Sequence, residues 1–214
     1  CIIAKIFGSE SQKEAAIELC MKTHGGRAFL HGHLFGDNVH EFLAPCIYEG
    51  EGEMLGMAFL KSLIKDHGRK FFEPIGRRSV ELGLKRPNPM NPIHAWRLRR
   101  ELAAYTAWRL GQLLGGGKRP PLNLKCPRLA RLARFASDGL QKSRLTIDSL
   151  MISHQLKLPD RQIAMANLSA RIQDHVVMLV AALWADQHDD PLVRDAAVVL
   201  GNDLHRQLTH RPTS

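Results

Sequence analysis

The chain has 214 residues, 44% hydrophobic and 24% charged, with 30 Lys and Arg against 21 Asp and Glu and a formal net charge of +9. This composition excludes wholesale disorder and is long enough for one large domain or two small ones with a substantial core. The longest apolar run, residues 176–184, falls well short of the roughly 20 residues that a membrane-spanning helix needs, and reads as part of a buried core helix.

Taken in chain order, residues 1 to about 23 carry apolar side chains at helical spacing, among them Ile3, Phe7, Ala15, Ala16, Leu19 and Cys20. The first residues resemble the middle of an apolar helix and carry neither a basic leader region nor a cleavage signal, so a fragment is expected rather than a signal peptide. His24-Gly25-Gly26 stops the first helix, because glycine accepts the left-handed conformation of a helix end and also lets a ligand approach the backbone. Asp37 is expected to cap a short helix through about Ala44, closed by Pro45, with residues 46–50 as a loop. A helix from about Glu51 to Asp66 follows, with Met54, Leu55, Met57, Ala58, Leu60, Leu63 and Ile64 on a wide apolar face and His67-Gly68 as its stop.

Residues 76–90 are expected to be a linker, since Pro87, Pro89 and Pro92 forbid a continuous helix. The boundary divides the chain into 1–75 and 91–214. A long helix is predicted from Pro92 to Leu114, with Trp96, Leu98, Ala103, Trp108 and Leu110 as buried candidates, ended by Gly115-Gly116-Gly117. That glycine run with Lys118 lacks both the full phosphate-loop pattern and a preceding strand, so it reads as a helix stop. Pro120-Pro121 and Pro127 bracket a loop. Three further helices are predicted, 128–157, 160–187 and 191–208, with Asp160 and Asp190 as start signals. No alternating strand pattern or fixed-period repeat is present, and the predicted fold is all-α, a helical bundle segment followed by a second helical domain.

Cys1, Cys20, Cys46 and Cys126 are scattered without zinc-type spacing, which favours a reducing intracellular compartment. His31, His33 and His40 lack the spacing and thiolate neighbours of a metal centre, and no metal site is expected. A reading from the residues alone makes Glu49 a helix-terminal carboxylate with a capping role.

Two segments point further. Thr23-His24-Gly25-Gly26-Arg27 and Ile47-Tyr48-Glu49-Gly50 together resemble the flavin and base region of acyl-CoA dehydrogenases, with the same interval from first glycine to glutamate. Ala4-Lys5 with Ser9-Glu10 is similar to that family's Ala-Lys-x-x-x-Ser-Glu helix. The resemblance covers about residues 1–66 and corresponds to the later part of the family's C-terminal bundle; residues from about 91 resemble the extra helical domain of longer members, such as the very-long-chain type.

The resemblance implies that Glu49 removes the alpha proton of an acyl-CoA thioester while FAD takes hydride from the beta carbon. It places Lys22, Thr23, His24, Gly25, Gly26, Glu51, Gly52 and Glu53 near FAD, and Tyr48 and Gly50 near the acyl-CoA substrate. An electron-transfer partner and a homo-oligomer are implied too, in a cytoplasmic or mitochondrial-matrix-like setting. The family's N-terminal helical and β domains are not in these 214 residues, so the chain alone is not expected to turn over substrate.

Three positions depart from the family pattern: Lys22 replaces a flavin-contacting glutamine, Arg27 follows the glycine pair, and Glu51 replaces a flavin-touching threonine. Glu51 and Glu53 put negative charge near an anionic reduced flavin, unfavourable unless Lys22 or Arg27 compensates. Lys22 or Arg27 is expected to help bind the FAD diphosphate across a subunit contact. Just ahead of a helix, Glu49 would have its pKa lowered by the peptide dipoles and raised by burial beside an acyl chain, and the sequence leaves both open.

The competing class is a non-catalytic helical module that kept the motif by descent. Arg97, Arg99 and Arg100, with Arg128, Arg131 and Arg134, would then form basic helix faces for an anionic membrane surface. Nucleic acid ranks below the membrane, because few aromatics accompany these arginines.

Overall fold

The computed structural model describes residues 1–48, 50–84, 91–115 and 121–210. Among them every regular element is helical and none is a strand, in line with the absence of alternating patterning in the sequence.

Helix α1, Ile2–Lys13, runs on through a π-helical stretch, Glu14–Met21, into a last turn, α2, Lys22–His24. The rod stops where Gly25 takes φ +62°, the backbone conformation that glycine adopts without a Cβ penalty. Ser9, Ala16 and Met21 are the buried positions of the rod and Phe7, Ala15, Leu19 and Cys20 are exposed; from Glu14 on, the wider π turns shift the register. The apolar face expected from regular helical spacing is therefore corrected in its second half.

After a tight 3-10 turn, Gly25–Phe29, come α3, Leu34–Asp37, and α4, Val39–Ile47. Asp37 does not cap α4. Its carboxylate accepts from the Gly32 amide at 2.8 Å and lies 3.5 Å from His31, while Asn38 occupies the cap position. Nor does Pro45 close the helix; it sits inside α4, which ends at Ile47.

Helix α5, Gly52–His67, passes through a second π-helical stretch, Gly68–Phe72, into α6, Glu73–Glu81. His67-Gly68 is thus no stop: Gly68 has helical dihedrals, and a lone glycine costs a helix only about 1 kcal/mol, which packing offsets. The expected linker shortens accordingly, since residues 76–81 belong to α6.

Asn91 caps α7, Pro92–Arg97, by accepting from the Ile93 amide at 3.0 Å. The chain breaks at Leu98 and resumes as α8, Arg99–Leu113. Leu98 is buried, but Trp96, Ala103 and Leu110, also expected inside, are exposed. Gly115 follows with φ +140°, and Gly116, Gly117 and Lys118 lie outside the described residues.

The C-terminal part consists of α9, Pro127–His154, α10, Gln162–Asp186, and α11, Pro191–His210. Short connections make consecutive helices neighbours. Asp190 starts α11 as predicted, accepting from the Leu192 amide at 2.8 Å. Asp160 instead ends a 3-10 turn, Gln155–Asp160, and makes no side-chain cap of α10.

Small residues let these rods approach closely. Leu129 and Ala133 of α9 meet Ala182 and Ala185 of α10 and Ala197 and Val198 of α11. A Cβ on Gly139 would lie 2.2 Å from the His175 ring, and one on Gly201 would lie 2.6 Å from Leu132. The nine-residue apolar run is buried on one side only: Met178 and Ala182 are inside, whereas Val180 and Trp184 are exposed.

A second core joins Leu60 of α5 to Ile147, Leu158, Met165, Leu168 and Ile172, so it draws on both sides of the expected linker. There the Ser169 hydroxyl donates to the Gly56 carbonyl at 2.6 Å. Helix α8 is held by Asp148, which is fully buried and accepts from the Tyr105 hydroxyl, whose oxygen lies 2.9 and 3.0 Å from the two carboxylate oxygens, beside His67 Nε2 at 3.0 Å. Arg109 Nε lies 3.6 Å from the same carboxylate. Phe71 and Trp108, with ring centroids 4.7 Å apart, close the apolar side.

Candidate functional site

Glu49, the candidate base, lies outside the described residues, but the turn around it is described on both sides. Tyr48 leaves α4 in an extended conformation and is 70% exposed. Gly50 has φ +104°, a left-handed backbone that any side chain would strain. Its carbonyl accepts from Lys5 Nζ at 2.5 Å, which ties the turn to the first part of α1. Below it, Cys46 Sγ donates to the Ser9 carbonyl at 3.3 Å.

Glu51 is the N-cap of α5, its carboxylate accepting from the amides of Glu53 and Met54 at 2.9 and 3.1 Å. These bonds satisfy two of the donors that a helix start leaves free, and the negative charge suits the positive end of the peptide dipoles. The capping role that the residues alone offered to Glu49 is thus filled two positions later. A groove of about 500 Å³ runs along α1, α5 and α10, with Glu10, Glu51 and Glu53 against Lys13 as its charged walls.

The glycine turn is built differently. Thr23 Oγ1 donates to the Leu19 carbonyl at 2.7 Å, and Lys22 pairs with Glu18. The His24 ring packs on His33 and Phe35, with centroids 5.1 and 5.6 Å away. Around Gly25 and Gly26 the space is open: a Cβ on either would touch nothing within 4 Å. Close by, Gly36 is required for a different reason, since a Cβ there would lie 2.2 Å from the Ala28 carbonyl oxygen. His33 Nδ1 accepts from the Phe35 amide at 3.2 Å, and no cluster able to hold a metal occurs among the described residues.

The two motifs are not brought together. Lys5, at the start of the α1 rod, holds Gly50, whereas Gly25 ends that rod, roughly 25–30 Å away along a helix rising about 1.5 Å per residue. Within one chain Lys22 and Arg27 lie at the far end of the rod from Glu51 and Glu53, so any offset by them belongs to a contact between subunits. The cation that meets the base turn is Lys5. Both ends expose apolar side chains: Phe29, Leu30 and Leu34 at 78, 63 and 67% beside the glycine turn, and Ile47, Tyr48 and Met54 at 66, 70 and 69% beside the base turn.

Several placed groups left no mark in the sequence. His175 is buried against Gly139, and its Nδ1 has no hydrogen-bond partner among the described residues. Burial, with a smaller contribution from the Arg171 charge, brings its pKa down to about 4. Burial and the hydrogen bond to Asp148 push the Tyr105 hydroxyl up to about 12. Asp186 accepts from the amides of Lys125 and Cys126, both at 2.8 Å; burial raises its pKa, but these bonds and nearby cations outweigh burial and hold it below the ordinary value. Only Gly139, a glycine inside a long helix, gave a sequence signal of close packing.

No family model, no curated protein and no solved structure matches the chain. No described helix is long and apolar enough to cross a membrane.

Proposed function

We propose that the chain is the C-terminal helical part of an FAD-dependent acyl-CoA dehydrogenase. Glu49 is its general base, taking the alpha proton of the thioester. The observation that carries this reading is the condition of the two motif-bearing turns: each centres on a glycine with positive φ, Gly25 and Gly50, and each is flanked by exposed apolar side chains. Exposed apolar patches beside backbone that tolerates close approach suit surfaces completed by a ligand or another domain.

Glu51 also supports it. A carboxylate already committed to the α5 terminus leaves Glu49 without a need to cap. The wide separation of the turns favours a flavin site completed across a subunit contact, with Lys22, Arg27 and the glycine pair meeting FAD at one end of the rod and Glu49 meeting acyl-CoA at the other. Bound FAD supplies the hydride acceptor; this chain supplies the base, and Lys5 fixes the base turn from below. A positioned base contributes about 10²–10⁴-fold to rate.

The test uses the intact polypeptide with whatever sequence precedes Cys1. Glu49→Gln should lower acyl-CoA dehydrogenation by at least 10²-fold while the yellow, FAD-bound colour persists. An equal rate in the variant, or an intact protein that binds no flavin, would overturn the proposal.

The non-catalytic module remains the second reading, and the arginines of α7 and α8 favour it. Their exposure, with Trp96 and Ile93 exposed beside them, suits an anionic membrane surface. Co-sedimentation with anionic vesicles in the absence of flavin binding would favour it over the enzyme.

A further inference from the structure

Between α6 and the α7–α8 break lies an open cleft of about 580 Å³, into which Arg77 and Arg78 of the first element and Arg97, Arg99 and Arg100 of the second converge. Glu81 and Glu101 also line it, so five positive charges face two negative ones. The arrangement combines the packing of α6 on α8 with the turn at Leu98. Arg97 and Arg100, three positions apart, would share a face even on an unbroken helix; the turn at Leu98 adds Arg99 to the same side. Here Leu98, 2% exposed, anchors the kink, and the arginines on both sides of it border the same cleft.

Three of the five guanidinium groups are already held. Arg77 pairs with Glu73, and Arg78 meets Glu81 at 2.8 Å. Arg99 stacks over the Trp96 ring at 4.5 Å and donates to the Trp96 carbonyl at 3.2 Å. Arg97 and Arg100 make no ion pair among the described residues, and neither does Glu101. Like charges gathered in a concave site repel one another and raise the local potential, which attracts a compact polyanion. Guanidinium forks match phosphate oxygens two at a time, a geometry that ammonium groups lack. The cleft is of the size that accommodates a small molecule, and it is concave, unlike the extended cationic track that a nucleic-acid strand follows.

We infer that the α6/α7–α8 cleft is a binding site for a group carrying two or more linked or adjacent phosphates, with Arg97 and Arg100 as the principal ligands and Arg77, Arg78 and Arg99 as pre-positioned supports. The site does not depend on the flavin reading. The same chemistry is offered by a soluble oligophosphate and by a polyphosphorylated lipid headgroup.

Isothermal titration of the chain with inorganic pyrophosphate and tripolyphosphate tests it, with orthophosphate as the low-charge comparison. One-to-one saturable binding is expected, at least tenfold weaker for orthophosphate. The Arg97→Ala/Arg100→Ala variant should weaken pyrophosphate binding tenfold or more with an unchanged thermal melt, because both side chains are exposed. Lys142→Ala/Arg144→Ala, elsewhere on the surface, should leave it unchanged. Vesicles containing phosphatidylinositol bisphosphate, set against the free inositol trisphosphate headgroup, assign the source. Binding of the vesicles alongside the headgroup points to a lipid, and binding of soluble phosphates alone points to a free ligand. No saturable binding at millimolar pyrophosphate, equal binding by the arginine variant, or binding only of long polyanions such as RNA would overturn the inference.

Discussion

Burial, more than any neighbouring charge, disfavours the protonated form of His175. It is 6% exposed, faces Gly139, and has the Arg171 charge nearby, which together bring its pKa to about 4. The unfolded chain binds a proton there near pH 6.5 and the folded chain does not, so the folded state loses stability as pH falls from about 6.5 towards 4. The loss is on the order of 3 kcal/mol. Asp186 has a depressed pKa, so its contribution persists above the ordinary carboxylate range and goes only at still lower pH. Urea unfolding from pH 7 to pH 4 should therefore show stability declining with acid, and His175→Gln should flatten that slope between pH 6.5 and 4. An unchanged slope in the variant would show that other groups carry the effect.

At the scale of elements, the α5 entry is a compact case of local chemistry. Glu51 accepts from two free amides at a helix start, and removing such a cap typically costs about 1 kcal/mol. Glu51→Ala should lower the thermal midpoint modestly and Glu51→Asp should preserve it, as read by circular dichroism; a loss near zero would mean that solvent replaces the cap. This helix start was legible because the glycine and the carboxylates precede an apolar run. The stops were less so. His67-Gly68 resembles a terminus, yet the next residues, Phe71 and Phe72, pack on Tyr105 and Trp108, and that burial carries the helix past the glycine. Pro45 likewise sits inside α4 rather than closing it. The π-helical stretches followed from no residue pattern, and they moved the buried face of the first rod off the expected positions.

On the scale of the whole molecule, the all-α class was legible from periodicity alone, as were the three long C-terminal helices. The site was legible only as separate motifs. Sequence spacing placed Gly25 and Gly50 correctly as backbone turns, but the distance between them depends on the straight rod that joins them, which spacing cannot report. The arginine cleft needed the same long-range knowledge, since Arg77 and Arg100 meet only through the α6 and α8 packing. Stability should be unevenly spread. Helices α9, α10 and α11 bury two continuous cores against one another, while α1 and α5 reach α10 through a smaller crossing. Amide hydrogen exchange should be slowest in α10 and clearly faster in α1; equal protection in both would contradict this hierarchy.

The Ser169 bond to the Gly56 carbonyl joins positions 113 residues apart. During synthesis α5 leaves the ribosome long before α10 exists. At about 5–20 residues per second, its apolar face would wait roughly 6–20 s for its partner. Burial of the α5 face against α10 must therefore await synthesis of α10, while α4 and α5 can already pack on α1.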